Sequence, residues 1–260
     1  MTHKNTSDRN ENTSILLGAR VYGIGGIAVG LVGIFFGRFA DYWQPIQSLG
    51  DISHLATLAC IFGGGFLLSG IAVQLPRFAH AGIISLTGLH SISALLWLPR
   101  IFGFPGMLGC WQGLAQALSL VAAGCVAWSF VSNRYRAVAL WALFIYGVCV
   151  FSYGTVHFTA LGATINMVPE WLPPGRKFWA ITTGVFDILA ALAIVSRVWA
   201  RLAAYLLTAM IVGFEVLIWL PRIVAKPTEH ISWAGNAMNL CFVGAAWIVA
   251  DWFSQRARLK

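Results

Sequence analysis

An ionisable residue inside a long apolar run costs several kcal/mol, and three such residues stand out: His90, Asp187 and Glu215. Asp187 lies about nine residues from the nearer end of its run, roughly 13 Å deep at 1.5 Å per helical residue. His90 lies at similar depth, counted back from Pro99, and Glu215 about one turn shallower, counted back from Pro221. Carboxyls at such depth suit proton exchange beside a quinone or another lipid-like substrate. The same groups could instead be neutral acids hydrogen-bonded to a neighbouring helix, fixing the register of a bundle. His90 fits either the catalytic set with Asp187 and Glu215 or a hydrogen-bonded core position. A b-type haem needs paired axial histidines. The remaining histidines, His3, His54, His80, His157 and His230, sit at run ends or in connections, so no haem is expected.

A second group of candidates lies where the runs end. Arg100 and Arg222 each follow a proline and stand close to a tryptophan, Trp97 or Trp219. Two readings are open: interfacial anchors, with Trp at headgroup level and Arg reaching phosphates, or a paired anionic binding site. His157, Glu170, Glu229 and His230 have the chemistry to hold Zn²⁺ or a similar ion. Their spacings match no metal motif, and no metal centre is expected. The five cysteines form no C-x-x-C, which argues against a dithiol centre or a c-type haem and for small apolar packing residues.

The elements that must position these residues are membrane helices. The 260 residues are 58% hydrophobic and 10% charged, against about 25% charged in a soluble domain. Eight apolar runs approach the ~20 residues needed to span a bilayer, at 17–38, 55–75, 81–98, 109–131, 137–159, 178–195, 202–220 and 233–253. Residues 1–16 read as a disordered polar lead, and 254–260 as a basic tail. With both termini cytoplasmic, eleven of the 17 Lys and Arg collect on the inside and six outside, obeying the positive-inside bias of an inner membrane. The net charge of +8 is therefore topology and predicts membrane lipids, not nucleic acid, as partners. The first run carries two G-x-x-x-G spacings among Gly23, Gly26, Gly30, Gly33 and Gly37. That stripe suits either dimerisation or close packing on the chain's own helices.

The chain is also duplicated. Leu95 to Ala123 recurs as Leu217 to Ala245, with thirteen of 29 positions identical at one offset of 122. The shared pattern is W-L-P-R-I, then a proline (Pro105, Pro227), then W-x-G-x-A from Trp111 and Trp233. Each half carries four spans, so both insert in the same direction, about an axis along the membrane normal. The expected fold is all-α and polytopic: two fused parallel four-helix bundles, 17–131 and 137–253.

The second half holds further motifs in order. Gly154-Thr155-Val156-His157-Phe158 closes one span; Met167-Val168-Pro169-Glu170-Trp171-Leu172-Pro173 forms a loop; Thr183-Gly184-Val185-Phe186-Asp187 lies in the next span. Arg201-Leu202-Ala203-Ala204 opens another, and Trp233 with Asn239-Leu240 marks the last. This order resembles the DoxX and DoxX-like membrane families, over about 150–252. The resemblance implies a four-helix membrane bundle with an intramembrane acid at Asp187, and His157 and Asn239 at positions available to a ligand. The first-half counterpart of Asp187 is about Phe66, so only the second half keeps that acid.

The family's named members include small subunits of quinone-linked oxidising complexes. The resemblance thus implies an accessory or quinone-interacting subunit of a redox system, partnered by a soluble or peripheral oxidoreductase. Quinone is the expected ligand, and no covalently bound cofactor is expected. A carrier or binding protein for a small lipophilic or anionic molecule is the alternative, drawing on the same candidates.

Overall fold

The computed structural model describes residues 6–40, 54–130 and 135–258, and the side chains from Leu17 to Gln255 within them. Most of the connection between the first two spans, and the turn at Ser132-Asn133-Arg134, lie outside the described residues. Eight helical stretches are long and apolar enough to cross a membrane, one for each apolar run of the sequence. They are built from α1 (Thr6–Phe36), α2 (Leu55–Gln74), α3 (Ala79–Leu96) with the short α4 (Leu98–Gly103), α5 (Leu108–Ser129) and α6 (Arg136–Thr159). After the short α7 (Leu161–Met167) come α8 (Arg176–Ser196), α9 (Ala200–Phe214), a π-turn (Glu215–Trp219), α10 (Leu220–Ala225) and α11 (His230–Arg258). No strand occurs among the described residues. α1 begins at Thr6, ahead of the first apolar run. At the other end, α11 extends to Arg258 through what was expected to be tail.

The repeated prolines shape two of the spans. A proline inside a helix lacks an N–H and crowds the carbonyl four residues back. At Pro99 the chain responds by ending α3 and starting α4, with the Trp97 N–H bonding the Ala94 carbonyl at 3.2 Å. At Pro221 it widens instead into the π-turn. Such insertions are uncommon and recur at functional sites.

The spans follow one another around the molecule in chain order, and two long packing lines join the halves. The first helix of each half lies against the last helix of the other: α1 along α11, and α6 along α5. α5 and α11 also meet each other, and they bury the largest shares of their spans, 61% and 72%. Matching pairs in the two halves pack alike, α1 on α2 as α6 on α8, and α3 on α5 as α9 on α11. The halves therefore meet along α1–α11 and α5–α6, with α5 and α11 in contact between them.

Close approach at these seams depends on glycine. A Cβ built on Gly30 would stand 2.6 Å from the Gly63 carbonyl oxygen, and one on Gly154 would stand 2.8 Å from that of Gly184. Gly25 faces Cys241 of α11, and Gly23 faces Val73 of α2. The G-x-x-x-G stripe of the first span thus packs on the chain's own helices, as small residues in lipid allow.

Candidate functional site

One polar contact in the second half joins α6 to α8. His157 stands in the last turn of α6, and the Gly154–Gly184 approach draws that turn onto α8. Its Nδ1 lies 2.7 Å from the Ala180 carbonyl oxygen. A carbonyl only accepts, so Nδ1 carries the proton and donates, leaving Nε2 as the basic atom of the neutral ring. Nε2 faces Asp187 Oδ2 at 3.9 Å, with side-chain exposures of 18% for His157 and 6% for Asp187. That gap exceeds a hydrogen bond by about 1 Å; a small side-chain shift or one bridging water would let a proton pass. The pair joins a buried carboxyl to an imidazole with a fixed tautomer and partial access to the surface. Thr183 Oγ1 lies 3.2 Å from His157 Nδ1 and donates to the Trp179 carbonyl at 2.7 Å, so the T-G-x-x-D motif both orients the ring and supplies its acid.

Glu215 does not join them. It is buried on the π-turn, where Asn239 Nδ2 donates to Oε2 at 2.7 Å and Asn236 donates to Oε1. Asn239 also donates to the Ile211 carbonyl at 3.1 Å, tying α11 to α9 across the turn. Asn236 and Asn239 are three residues apart on α11 and so share a face. No hydrogen bond or ion pair links Asp187 to Glu215 among the described residues. The two acids therefore stand at separate places: Glu215 accepts from α11, whereas Asp187 faces the α6 imidazole across a gap.

His90 forms a third centre, in the first half. It is 2% exposed, lies near the rings of Tyr22 and Phe66, and its Nε2 has no hydrogen-bond partner among the described residues. Beside it is a cavity of about 30 Å³ walled by Phe39, Phe62, Phe66, Leu96 and Met238, with Ser93 and Ala117 on its lining. At the repeat offset of 122, Ser93 and Ala117 are the counterparts of Glu215 and Asn239, and Leu114 is that of Asn236. Where the second half carries a carboxylate with two amides, the first half thus has smaller or apolar side chains and a gap of one or two waters' volume. His90 is not brought to Asp187 or Glu215, so the three do not form one catalytic set.

The candidates at the bundle end separate in the same way. Trp97 is fully buried, its indole lying where a Cβ on Gly113 would be, and Trp219 lies on Gly235 in the same manner. Trp111 Nε1 donates to the Pro105 carbonyl at 2.8 Å, and Trp233 to that of Pro227 at 2.7 Å. Trp97 and Trp219 thus pack on glycines, and the same clasp recurs with the pattern in both halves. The third clasp, Trp179 on Pro173 at 2.9 Å, has the same six-residue spacing outside the repeat.

Arg222 lies over Trp219 at 5.9 Å and meets Glu229 at 3.5 Å, while Arg100 is recorded in no contact with it. The paired arginine site is therefore not assembled. Glu229, between spans, accepts from Ser232 at 2.6 Å and from Lys226 at 3.3 Å. The Ser232 hydrogen bond above all, with the two cations, holds its carboxyl below the usual glutamate range. His157, Glu170, Glu229 and His230 do not converge: Glu170 pairs with Arg176 at 2.9 Å, and His230 meets Phe36 edge-on. No cluster of metal-ligating side chains occurs among the described residues.

Two polar residues escaped the sequence reading. Asn236 is visible in retrospect as a polar residue where the repeat has Leu114. Asp251, 4% exposed, faces Gly18 across the α1–α11 seam, with Oδ2 unpartnered among the described residues. Its signal was plain, an acid close to the end of the last apolar run.

The model of one family, described as a domain of unknown function (DUF8561), matches residues 146–250. The match takes in His157, Asp187, Glu215, Asn236 and Asn239. No curated protein and no solved structure matches the chain.

Proposed function

We propose that this chain is a membrane subunit that exchanges protons through the buried His157–Asp187 pair, in support of a quinone-linked redox system whose electron carriers belong to a partner. The observation that carries this reading is the pair itself: a carboxyl and a tautomer-fixed imidazole, 3.9 Å apart, inside membrane-spanning helices. An intramembrane acid facing a histidine is costly to keep for packing alone. Quinone reduction and quinol oxidation move protons with electrons, and a lipid-soluble substrate reaches the spans from the bilayer. In the proposed step, a proton on Asp187 passes to His157 Nε2, the His157 Nδ1–H stays on the Ala180 carbonyl, and the partly exposed ring releases the proton outward. The chain supplies the proton path; the partner supplies and accepts electrons.

The test is quinol-linked turnover in native membranes carrying variants at the chromosomal locus. Asp187→Asn keeps size and polarity but holds no exchangeable acid proton, and should lower turnover at least about tenfold, within the range of positioned acid–base groups. His157→Gln should do likewise, while both variants insert and extract as the parent protein does. Unchanged turnover in Asp187→Asn would remove the proton role; equal loss of protein would assign the pair to helix register.

A further inference from the structure

A second feature is built from other residues. The α6–α8 connection and the π-turn with α10 enclose an open groove of about 530 Å³, lined by Asn166, Met167, Trp171, Leu217, Ile218 and Arg222 among others. That volume is in the range of small-ligand sites, and its lining mixes polar with apolar side chains.

The polar part of the lining is cationic. Arg222 reaches Glu229 through Nε, and its two terminal nitrogens make no hydrogen bond or ion pair among the described residues. Lys226 shares the same carboxylate at 3.3 Å, so two cations face one anion. The nearest other acid along the lining segment, Glu170, is held by Arg176 at 2.9 Å and does not offset that charge. The Asn166 side chain is exposed and makes no hydrogen bond among the described residues. A guanidinium and an amide at a groove mouth suit phosphate or carboxylate oxygens.

The apolar part of the lining points to more than a free anion. Leu217 and Ile218 lie on the π-turn, and its neighbours Val216 and Leu220 are 53% and 47% exposed on the surface of the span. Trp171, 66% exposed, stands at the rim, as indoles do at the headgroup level of a bilayer. The π-turn bulge, imposed by Pro221, is what spreads these side chains towards the α6–α8 connection.

We propose that this groove binds the headgroup of an anionic amphiphile. Its phosphate or carboxylate oxygens accept from the Arg222 Nη groups and from Asn166 Nδ2, and its tail follows Leu217 and Ile218 into the hydrocarbon. Glu229 tunes the site by competing for Arg222. The site shares no residue with the His157–Asp187 pair and stands or falls independently of it.

The test is native mass spectrometry of the full chain in detergent, titrated with phosphatidylglycerol, with phosphatidylcholine, or with inorganic phosphate. Phosphatidylglycerol should be retained in preference to phosphatidylcholine, and inorganic phosphate should not displace it. Arg222→Gln should weaken its retention about tenfold, the scale of one charge-assisted contact, and Asn166→Ala should weaken it less. Glu229→Gln should strengthen it, a change of sign that a folding defect would not produce. Equal retention of the two lipids, displacement by inorganic phosphate, or indifference to both Arg222→Gln and Glu229→Gln would each overturn the proposal.

Discussion

At the scale of residues, the second half keeps two carboxyls inside the membrane by giving each a different kind of partner. Asp187 faces a histidine across a gap, and Glu215 is clamped by two amides. The clamp predicts its own sensitivity. Both Asn236 and Asn239 donate, so Glu215 must present an acceptor on each oxygen. In Glu215→Gln one of these becomes an amino group facing another donor, and a buried donor left unsatisfied costs about 1–3 kcal/mol. The thermal midpoint in detergent should fall for Glu215→Gln and recover in part when Asn236→Leu removes the opposing donor. An unchanged midpoint would show that the clamp contributes nothing to the fold. Asp187 and Glu215 were legible in the sequence because acids in hydrocarbon stand out, and His157 through the motif order of the second half. Their partners were not legible, since depth along a span says nothing about which face meets which helix. Asn236 would have been found by reading the duplication for its differences: it is polar where Leu114 is apolar.

At the scale of elements, the repeated W-L-P-R-I with its following W-x-G is a clasp that fixes how spans three and seven end. The proline breaks or widens the helix, the first tryptophan fills the space over a glycine, and the second tryptophan bonds the next proline's carbonyl. A methyl group at Gly113 has no room beneath the Trp97 indole, whereas Gly64 of α2 meets nothing within 4 Å. Gly113→Ala should therefore destabilise the protein by about 1–3 kcal/mol, the usual cost of overpacking. Gly64→Ala should be neutral or slightly stabilising, since alanine is favoured over glycine in a helix by about 1 kcal/mol. Unfolding in a denaturant series would separate the two, and similar effects from both would remove the clasp as an explanation. The sequence pointed to this motif by repeating it, yet suggested a ligand site. The Trp97 and Trp219 rings lie on glycines, which no composition or spacing argument singles out.

At the scale of the whole molecule, the eight spans and their order were readable from hydropathy, and the duplication from one constant offset. The way the halves meet was not, because α1 and α6 carry glycine faces that fit any closely approaching helix equally well. In the structure the α1 glycines meet α2, α3 and α11, those of α6 meet α8, and α5 and α11 become the shared centre. The duplication then let the halves diverge around that centre. The first half holds His90 beside a small cavity with Phe66 nearby; the second holds Asp187 with His157, and Glu215 with two amides. Polar specialisation of one half on a symmetric scaffold is what the proton-exchange reading requires. Its most direct test is infrared difference spectroscopy of the full chain in liposomes, comparing oxidised with reduced quinone in the bilayer. The account predicts a protonated-carboxyl band that changes with quinone state, vanishes in Asp187→Asn and is displaced in His157→Gln. A carboxyl spectrum indifferent to quinone state, or one that responds equally in Asp187→Asn, would contradict it.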